Sequence, residues 1–563
     1  KNIIDVQIEL SKINGTTVII YDQTCAAEKR RRRKKGILEE PKKKIFINKD
    51  LCEGCGDCGI QSNCVSIAPV ETEYGRKRQI DQSSCNKDYT CVDGFCPSFV
   101  SLEGEIRIKK NYDENLINKI NSKIEEPILP EINKSYGIMI AGIGGTGVVT
   151  IGAVLATAAQ IDGRGSGVLD MTGLAQKGGA VKSFLRIFEK PEDVGAIRLS
   201  YGDTNLLLGF DLLVSNDLEI IKTLDKKISK LIINTDEVMP GDFTRDKDFY
   251  LPFEEMRNNL INIAGLENIK FISSNKITSK ILGNSILSNM FNVGIAYQSG
   301  LIPISASSIE KAIELNGASV KDNIDAFRFG RHYENLKEEV INIVKDEPEI
   351  LEGFDAKYQN RFKFLEDYQN KKYAQNYEDL VSYAKKVDKE VGNGSQFSTA
   401  VLKNYFKLMA YKDEYEVSRL MTNKKFSDDI NKNFEGNFSY NFYLAPPIFS
   451  KKSKVDGKLL KIKFGGWLFN VFKLISKFKF LRGTKFDPFG YLNERKKERE
   501  LIRDYKQTIV DIGSKINKSN YETAVKIASI PDQIRGFGHV KEKNIKEAIN
   551  NRTDLLNSFH ENS

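Results

Sequence analysis

Short apolar runs recur between residues 136 and 272 and alternate with stretches of helical periodicity. The runs read as strands at residues 136–141, 167–170, 183–187, 211–215, 230–234 and 270–272. Strands that alternate with helices are typical of a parallel sheet covered by helices. We therefore predict an α/β domain with a parallel sheet over residues 136–335.

The pattern changes after about Arg331, where apolar residues fall at helical spacing. One such set is Val401, Leu402, Tyr405, Phe406, Leu408 and Met409. This periodicity predicts a mostly helical region over residues 336–563. Loop-rich insertions are expected near residues 444–447 and 483–490, and a Pro-punctuated linker over residues 111–135.

At the amino end, residues 18–22 read as a buried strand with a helix before it. A single strand and helix cannot bury themselves. We therefore expect residues 1–43 to be the tail of a domain whose body lies outside this sequence, followed by a basic linker.

The amount and distribution of charge argue against some classes of function. The chain has 563 residues and a formal net charge of +9, but residues 29–35 are seven consecutive basic residues. Without this run the charge is near +2, and no aromatic platform accompanies it, so nucleic-acid binding is not expected. We interpret the run as a solvated or phosphate-facing edge, a brace at a domain junction, or a docking surface for an acidic protein. No charge-free apolar stretch approaches 18 residues, so no membrane span is predicted.

All eight cysteines lie in the first 96 residues, and seven of them have iron–sulfur spacing. In Cys52-x2-Cys55-x2-Cys58 one turn supplies three thiolates, and a distant Cys96-Pro97 closes the fourth corner. Ligands cross over in two-cluster ferredoxins. We therefore assign Cys52, Cys55, Cys58 and Cys96 to a first four-iron cluster.

The second half of the motif has one altered corner. Cys85-x2-Asp88-x2-Cys91 keeps the spacing but places a carboxylate where the middle thiolate is expected. We assign Cys64, Cys85 and Cys91 to a second cluster with Asp88 at its open corner. A carboxylate is a poorer iron ligand than a thiolate, so this cluster is expected to exchange between three-iron and four-iron forms. Residues 44–110 are thus predicted to form a two-cluster ferredoxin-like module.

Two other uses of the cysteines fit less well. A disulfide framework is unexpected because the other 467 residues contain no cysteine. Zinc takes four ligands and gives no reason for a third cysteine three residues on. Iron–sulfur chemistry and free thiols both favour a reducing cytoplasm.

A GxGxxG loop follows the first predicted strand and opens a helix at Val148. Its glycines let the backbone approach a pyrophosphate, which the helix N-terminus would bind. Asp170 could hold the ribose of a nicotinamide or flavin dinucleotide, but coenzyme A could use the same loop, and a tight turn that binds nothing is the structural alternative. The candidate ligand-binding residues are Gly142, Gly144, Gly145, Thr146 and Gly147.

A second glycine-rich loop covers residues 172–179 between two predicted strands. At the carboxyl edge of a parallel sheet such a loop normally lines a ligand crevice, although it could also be a long turn. Gln176, Lys177 and Gly178 are its candidate binding residues, and Lys177 could pair with a phosphate or carboxylate.

Seven segments together resemble the fused bacterial indolepyruvate ferredoxin oxidoreductases. The segments are residues 21–33, 52–58, 80–88, 142–148, 410–417, 487–491 and 534–539. The resemblance covers essentially the whole chain and implies the carboxyl-terminal half of a longer enzyme. It identifies residues 136–335 with the Rossmann-like gamma domain of that family.

The resemblance also implies a reaction. Family members decarboxylate an aryl 2-oxo acid oxidatively with thiamine diphosphate, transfer the acyl group to coenzyme A and reduce ferredoxin. The thiamine-binding GDG motif is not found here; the nearest match, at residues 202–204, has the wrong third residue. Thiamine diphosphate is therefore expected on the missing amino-terminal half, and no catalytic residue is assigned to this chain. We expect a homodimer.

Cys25 lies outside the doubled motif, just before the basic run. It is a candidate ligand for a further cluster held mainly by the missing half, a reactive thiol whose pKa cationic neighbours would lower, or a plain buried cysteine. The other hypothesis for the chain is a stand-alone iron–sulfur electron carrier or a dinucleotide-linked adaptor that uses Asp170. Thiamine motifs encoded directly upstream would decide between them.

Overall fold

The computed structural model describes residues 3–34, 36–110, 114–173, 179–345, 350–446, 450 and 459–561. The chain divides into two compact units. One consists of Lys1–Pro41 with Asn86–Asp88, and the other of Lys42–Cys85 with Tyr89–Ser563. None of the described helices is both long and apolar enough to span a membrane.

The protein is a mixed α/β protein with twelve strands and twenty-one α-helices among its described residues. The strands are β1 (Lys43–Ile47), β2 (Ile67–Val70), β3 (Lys77–Ile80), β4 (Phe99–Ile108), β5 (Ser135–Ile143), β6 (Gly165–Thr172), β7 (Ala180–Phe188), β8 (Leu206–Gly209), β9 (Lys230–Asn234), β10 (Ile269–Ile272), β11 (Phe434–Leu444) and β12 (Ile462–Phe464). The helices are α1 (Ile3–Leu10), α2 (Ala26–Lys34), α3 (Asp57–Ser62), α4 (Glu114–Ile120), α5 (Val148–Ile161), α6 (Leu212–Ser215), α7 (Leu218–Ile221), α8 (Phe253–Ala264), α9 (Ser274–Ile281), α10 (Ser288–Gln298), α11 (Ala306–Asn316), α12 (Val320–Val344), α13 (Phe354–Tyr368), α14 (Lys371–Val391), α15 (Gln396–Met409), α16 (Glu414–Thr422), α17 (Lys424–Asn433), α18 (Leu468–Lys477), α19 (Asn493–Gly513), α20 (Tyr521–Ser529) and α21 (Gly538–Glu561).

The first unit contains α1 and α2. The basic run lies in α2, where Glu28 pairs with Arg31 and Arg32 at spacings of three and four residues. The guanidinium of Arg33 donates to the carbonyl of Asn86 at 2.9 Å. The predicted strand at residues 18–22 is wrong: the segment is irregular, and Ile20 is 88 % exposed. An isolated strand has no ladder partner for its backbone groups, which explains the error.

The α/β domain has a six-stranded sheet of order β10-β9-β8-β5-β7-β6. Strands β10, β9, β8 and β5 pair in parallel, as predicted, whereas β7 runs antiparallel to both β5 and β6. The sheet is therefore mixed rather than wholly parallel. Apolar side chains are buried on both faces of its central strands, as the continuous apolar runs predict.

One strand prediction in this domain is wrong. Residues 211–215 contain the short helix α6, because the carboxylate of Asp211 accepts a hydrogen bond from the backbone N–H of Val214 at 2.8 Å and caps a helical turn. The strand is β8, five residues earlier, and all four of its residues are buried. An apolar run of this length does not by itself distinguish a buried strand from a short helix.

The region after residue 336 is mostly helical, as predicted, but it contributes two strands to a distant sheet. The order of that sheet is β1-β4-β11-β12, and β11 pairs antiparallel with β4 over nine residue pairs. Period-2 alternation at Phe438, Tyr440, Phe442 and Leu444 is the sequence signal that could have revealed β11. The sheet that contains β1 and β4, within the predicted ferredoxin-like module, is therefore completed by residues more than 320 positions further along the chain.

Candidate functional site

Four thiols line one cavity of the second unit. Cys52, Cys55 and Cys58 lie on the loop that leads into α3 and in its first turn, and Cys96 comes from the loop before β4. The cavity is formed between these two loops. It unites the four cysteines that the sequence assigns to the first cluster.

The cysteine loop needs glycine at positions where its backbone turns. Gly54 has φ +64°, and a Cβ at this position would lie 2.3 Å from the carbonyl oxygen of Arg76. The backbone N–H of Gly54 donates to the sulfur of Cys52 at 3.4 Å. The turn therefore curls around the sulfur, as in cluster-binding loops.

The two cysteine loops are fastened to each other beside the cavity. The carboxylate of Asp57 is buried and accepts a hydrogen bond from the backbone N–H of Phe95 at 2.6 Å. A Cβ on Gly94 would lie 2.8 Å from the Cα of Cys58. Gly94 therefore packs so closely on Cys58 that position 94 has no room for a larger residue.

The helical region packs directly on the site. A Cβ on Gly536 would lie 3.3 Å from the Cβ of Cys55, and the ring centroid of His539 lies 4.7 Å from that of Phe95. The ammonium of Lys461 donates to the carbonyl oxygens of Val92 and Gly94 at 2.8 and 2.6 Å. Residues 534–539, to which the sequence assigns no chemistry, therefore form part of the wall around the cysteine loops.

Burial governs the protonation of the thiols. Burial, and then the charge of Cys96, raises the pKa of both Cys55 and Cys58. Burial also raises the pKa of Cys96, against the opposing effect of Lys461. The free thiols of Cys55, Cys58 and Cys96 are therefore protonated at neutral pH, whereas iron binds thiolate, so loading at these three positions must release protons.

Within the described ranges, no three His, Cys, Asp or Glu side chains converge closely enough to hold a single metal ion. A cubane cluster is larger than one ion, so its ligands surround a volume rather than a point. Four soft thiol ligands around one cavity fit such a cluster. Cys52, Cys55, Cys58 and Cys96 are the residues that would hold it.

The residues proposed for the second cluster are less clearly grouped. Cys64 and Cys91 pack in the same apolar cluster as Cys52 and Cys58. Cys85 lies near Lys44, whose pKa is lowered by burial and raised by the charge of this cysteine.

The two remaining candidate ligands belong to the first unit. Asp88 follows Lys87, which forms an ion pair with Glu40. Cys25 is exposed, and its sulfur accepts a hydrogen bond from the backbone N–H of Glu28 at 3.3 Å. The ligand roles of Asp88 and Cys25 stay predictions.

The glycine loop lies between β5 and α5, as predicted. Gly142 is a packing position, because a Cβ there would lie 2.8 Å from a methyl group of Val148. The N–H of Gly144 donates to the carbonyl of Gly179 at 2.7 Å. Thr146 is held within the loop, since its hydroxyl donates to the carbonyl of Ile143 at 2.7 Å.

Gly145 and Gly147 give the loop its exposed turn. Both have positive φ, +86° and +103°, and Gly145 is solvent-exposed. Because glycine has no side chain, a ligand can approach the backbone closely at these two positions. Gln176, Lys177 and Gly178 lie outside the described residues.

The position of Asp170 bears on the dinucleotide hypothesis. Asp170 is exposed on β6, and β7 separates β6 from β5, which carries the glycine loop. In a dinucleotide-binding fold the acidic residue belongs to the βαβ unit that follows the loop. Two strand spacings, about 9.6 Å, separate β6 from β5, so this arrangement does not favour Asp170 as a ribose ligand.

Two protein families match this chain, each over a different region. A family described as pyruvate ferredoxin/flavodoxin oxidoreductase matches residues 137–333. A family of unknown function, DUF6537, matches residues 354–553.

Individual relatives match about a third of the chain. The indolepyruvate oxidoreductase subunit IorB of Methanothermobacter thermautotrophicus is 27 % identical over 200 residues, which are 35 % of this chain and 96 % of that protein. IorB of Archaeoglobus fulgidus is 25 % identical over 195 residues, 34 % of this chain and 92 % of that protein. The crystal structure of the pyruvate oxidoreductase subunit PORC of Thermotoga maritima shares 21 % identity, covers 35 % of this chain and 96 % of its own, and has a TM-score of 0.26.

The mixed sheet, the glycine loop and the family match define residues 137–333 as a gamma-subunit-like domain of the 2-oxoacid:ferredoxin oxidoreductases. Within that class, the domain is related, distantly, to the indolepyruvate oxidoreductase subunit IorB.

Proposed function

We propose that this chain is the electron-relay and gamma-domain part of a thiamine diphosphate-dependent 2-oxoacid:ferredoxin oxidoreductase that acts on indolepyruvate or another aryl 2-oxo acid. The thiamine site would lie on a partner polypeptide or on a preceding half of the same one. A gamma-subunit-like domain implies partner subunits, and the substrate class is supported by the relationship to IorB. We propose a cytoplasmic homodimer.

One observation carries the proposal: the cysteine loop is built against the gamma-like domain. A Cβ on Gly56 would lie 2.7 Å from the Cβ of Lys247, and a Cβ on Gly59 would lie 2.9 Å from the carbonyl oxygen of Thr244. Both glycines flank Cys58. The four-thiol cavity and the gamma-like domain are therefore parts of one packed body, as a relay beside an active-site wall requires.

Iron–sulfur clusters, when bound, would accept electrons one at a time and pass them to ferredoxin. The residues of this chain fix the site around them. Asp57 holds the two cysteine loops together, and Arg78 and Lys461 place positive charge beside the cavity. The exposed turn at Gly145–Gly147 is the proposed contact for the pyrophosphate of coenzyme A.

The experiment has two stages. The chain, purified without oxygen, should contain iron and labile sulfide, and Cys58→Ser should lose one cluster whereas the matched variant Cys25→Ser keeps the content of this module. The chain alone should not oxidise indolepyruvate. Combined with the thiamine-binding polypeptide, coenzyme A and ferredoxin, it should reduce ferredoxin.

Either of two results would refute the proposal: absence of iron from the wild-type chain, or turnover of indolepyruvate by the chain alone. A chain that holds iron but reduces no ferredoxin with any thiamine-binding partner would instead support a stand-alone electron carrier.

A further inference from the structure

Two cations lie beside the four-thiol cavity. Arg78, on β3, is 2 % exposed and lines the cavity together with the cysteines. Lys461, just before β12, places its ammonium against the loop that carries Cys96. Arg78 and Lys461 are far apart in the sequence, but both lie beside the same cavity.

Arg78 is held rigidly. Its guanidinium donates to the carbonyl of Lys247 at 2.9 Å and stacks on the ring of Phe243, with its central carbon 4.4 Å from the ring centroid. Both partners belong to the gamma-like domain. An arginine stays charged at any physiological pH, so its charge beside the cysteines is fixed in both amount and position.

Lys461 is held by the cluster loop itself. Its two hydrogen bonds go to the carbonyls of Val92 and Gly94, and its ammonium lies 5.1 Å from the ring centroid of Phe99. Gly94 and Phe99 both line the cavity. Neither hydrogen bond is to a carboxylate, so these two contacts do not neutralise the charge of Lys461.

Three acidic residues lie near the cavity. Glu53 lines the cavity but forms an ion pair with Lys412. Asp57 donates nothing and accepts from Phe95 and from Gln61, and Asp93 lies near Lys461. Lys412 therefore neutralises Glu53, and the carboxylates of Asp57 and Asp93 remain near the charges of Arg78 and Lys461.

We infer that Arg78 and Lys461 are positioning residues that raise the reduction potential of the cluster held by Cys52, Cys55, Cys58 and Cys96. The reduced cluster carries one more negative charge than the oxidised one. A fixed cation in a buried, low-dielectric site stabilises the more negative state. The inference rests on the proposed function for the presence of the cluster, and extends it by naming what sets its potential.

Lys461 lies in residues 354–553, the region that matches the family of unknown function, so this region would have a role in redox chemistry. Lys461 follows β11 in that region, and β12, which begins at the next residue, pairs with β11. The strands insert into the sheet of the cluster module and carry a cation to the cavity. Lys463, two residues further on, provides a matched control because its ammonium pairs with Glu103 and is 45 % exposed at the side chain.

The test is a redox titration of the full-length chain followed by electron paramagnetic resonance. Lys461→Met and Arg78→Met should each lower the equilibrium constant for one-electron reduction about tenfold, which is ~59 mV. Lys461→Arg and Arg78→Lys, which keep the charge, should recover most of the shift. Lys463→Met should change the constant by less than about twofold, because exposed charges are screened.

Iron and sulfide content, measured on the same samples, separates the two proposals. Wild-type protein without iron would refute the proposed function before any potential is read. If Arg78→Met loses its iron, the decision rests on the Lys461 variants, whose strand lies at the edge of the sheet. An unchanged potential in iron-replete Lys461→Met would overturn the inference.

Discussion

Gly94 provides the sharpest test of the cavity geometry. Gly94→Ala adds one methyl group between the two cysteine loops. The residue has φ −54° and ψ 132°, a conformation that alanine adopts without strain. The effect of the substitution is therefore steric and is confined to the space between Gly94 and Cys58.

The size of the effect follows from three short contacts. The new Cβ would lie 2.8, 2.9 and 3.0 Å from the Cα, Cβ and N of Cys58. Carbon atoms attract best at about 3.5 Å or more, so one loop must retreat by roughly 0.7 Å. Retreat strains the hydrogen bonds that Lys461 and Cys96 make to the carbonyl of Gly94 at 2.6 and 2.9 Å.

Overpacking of this kind costs about 1–3 kcal/mol. The lower entropy of the unfolded chain returns at most about 1 kcal/mol for a Gly-to-Ala change. Gly94→Ala should therefore destabilise the fold and spread the four thiols. We expect loss of the first cluster with retention of helical content by circular dichroism.

The assay is iron and labile sulfide content after anaerobic purification. Gly241→Ala is the matched control, because a Cβ at Gly241 meets nothing within 4 Å and its φ is not positive. Full cluster content and an unchanged melting temperature in Gly94→Ala would show that the two loops are not packed as described.

Three further predictions concern other sites. Asp88→Cys should lock the second cluster in its four-iron form, so a three-iron paramagnetic signal in the oxidised wild type should vanish in the variant; one cubane's worth of iron in both proteins would contradict a ligand role. Gly144→Val should weaken coenzyme A binding by the complete enzyme at least about tenfold, because a branched side chain blocks close approach of the pyrophosphate; equal affinities by calorimetry would leave the loop a structural turn. Arg482→Met should destabilise the helical region by about 3–5 kcal/mol, because it strips Asp413 of a buried bidentate partner at 2.6 and 2.8 Å; the double variant with Asp413→Leu should melt higher than Arg482→Met, and a lower melting temperature would disprove that origin of the loss.

Local patterns predicted the elements whose signal lies in their own residues. The run that became β5, the glycines after it and the start of α5 at Val148 needed no knowledge of distant partners. The spacing of Cys52, Cys55 and Cys58 likewise reflects a single turn, and the structure places these thiols with Cys96 around one cavity.

The errors at β7 and at residues 18–22 share one physical origin, which is dependence on a partner. The direction of β7 is decided by its pairing with β5 and β6 rather than by its own residues. Residues 18–22 have strand-forming side chains but no partner strand among the described residues of their own unit. The sequence did not predict roles for Arg78 and Lys461 for the same reason, because only folding brings these cations next to the cysteine cavity.

The pairing of β4 with β11 has a consequence for how the protein is made. Ser101 lies opposite Asn441, 340 residues later in the chain. At about 5–20 residues per second, a ribosome that has finished β4 needs roughly 17–70 s to supply its neighbour. During that interval the outer edge of β4 is unpaired and prone to join other strands. The cysteine loops are complete long before their sheet is, so throughout this interval the proposed cluster ligands lie next to an unpaired strand edge.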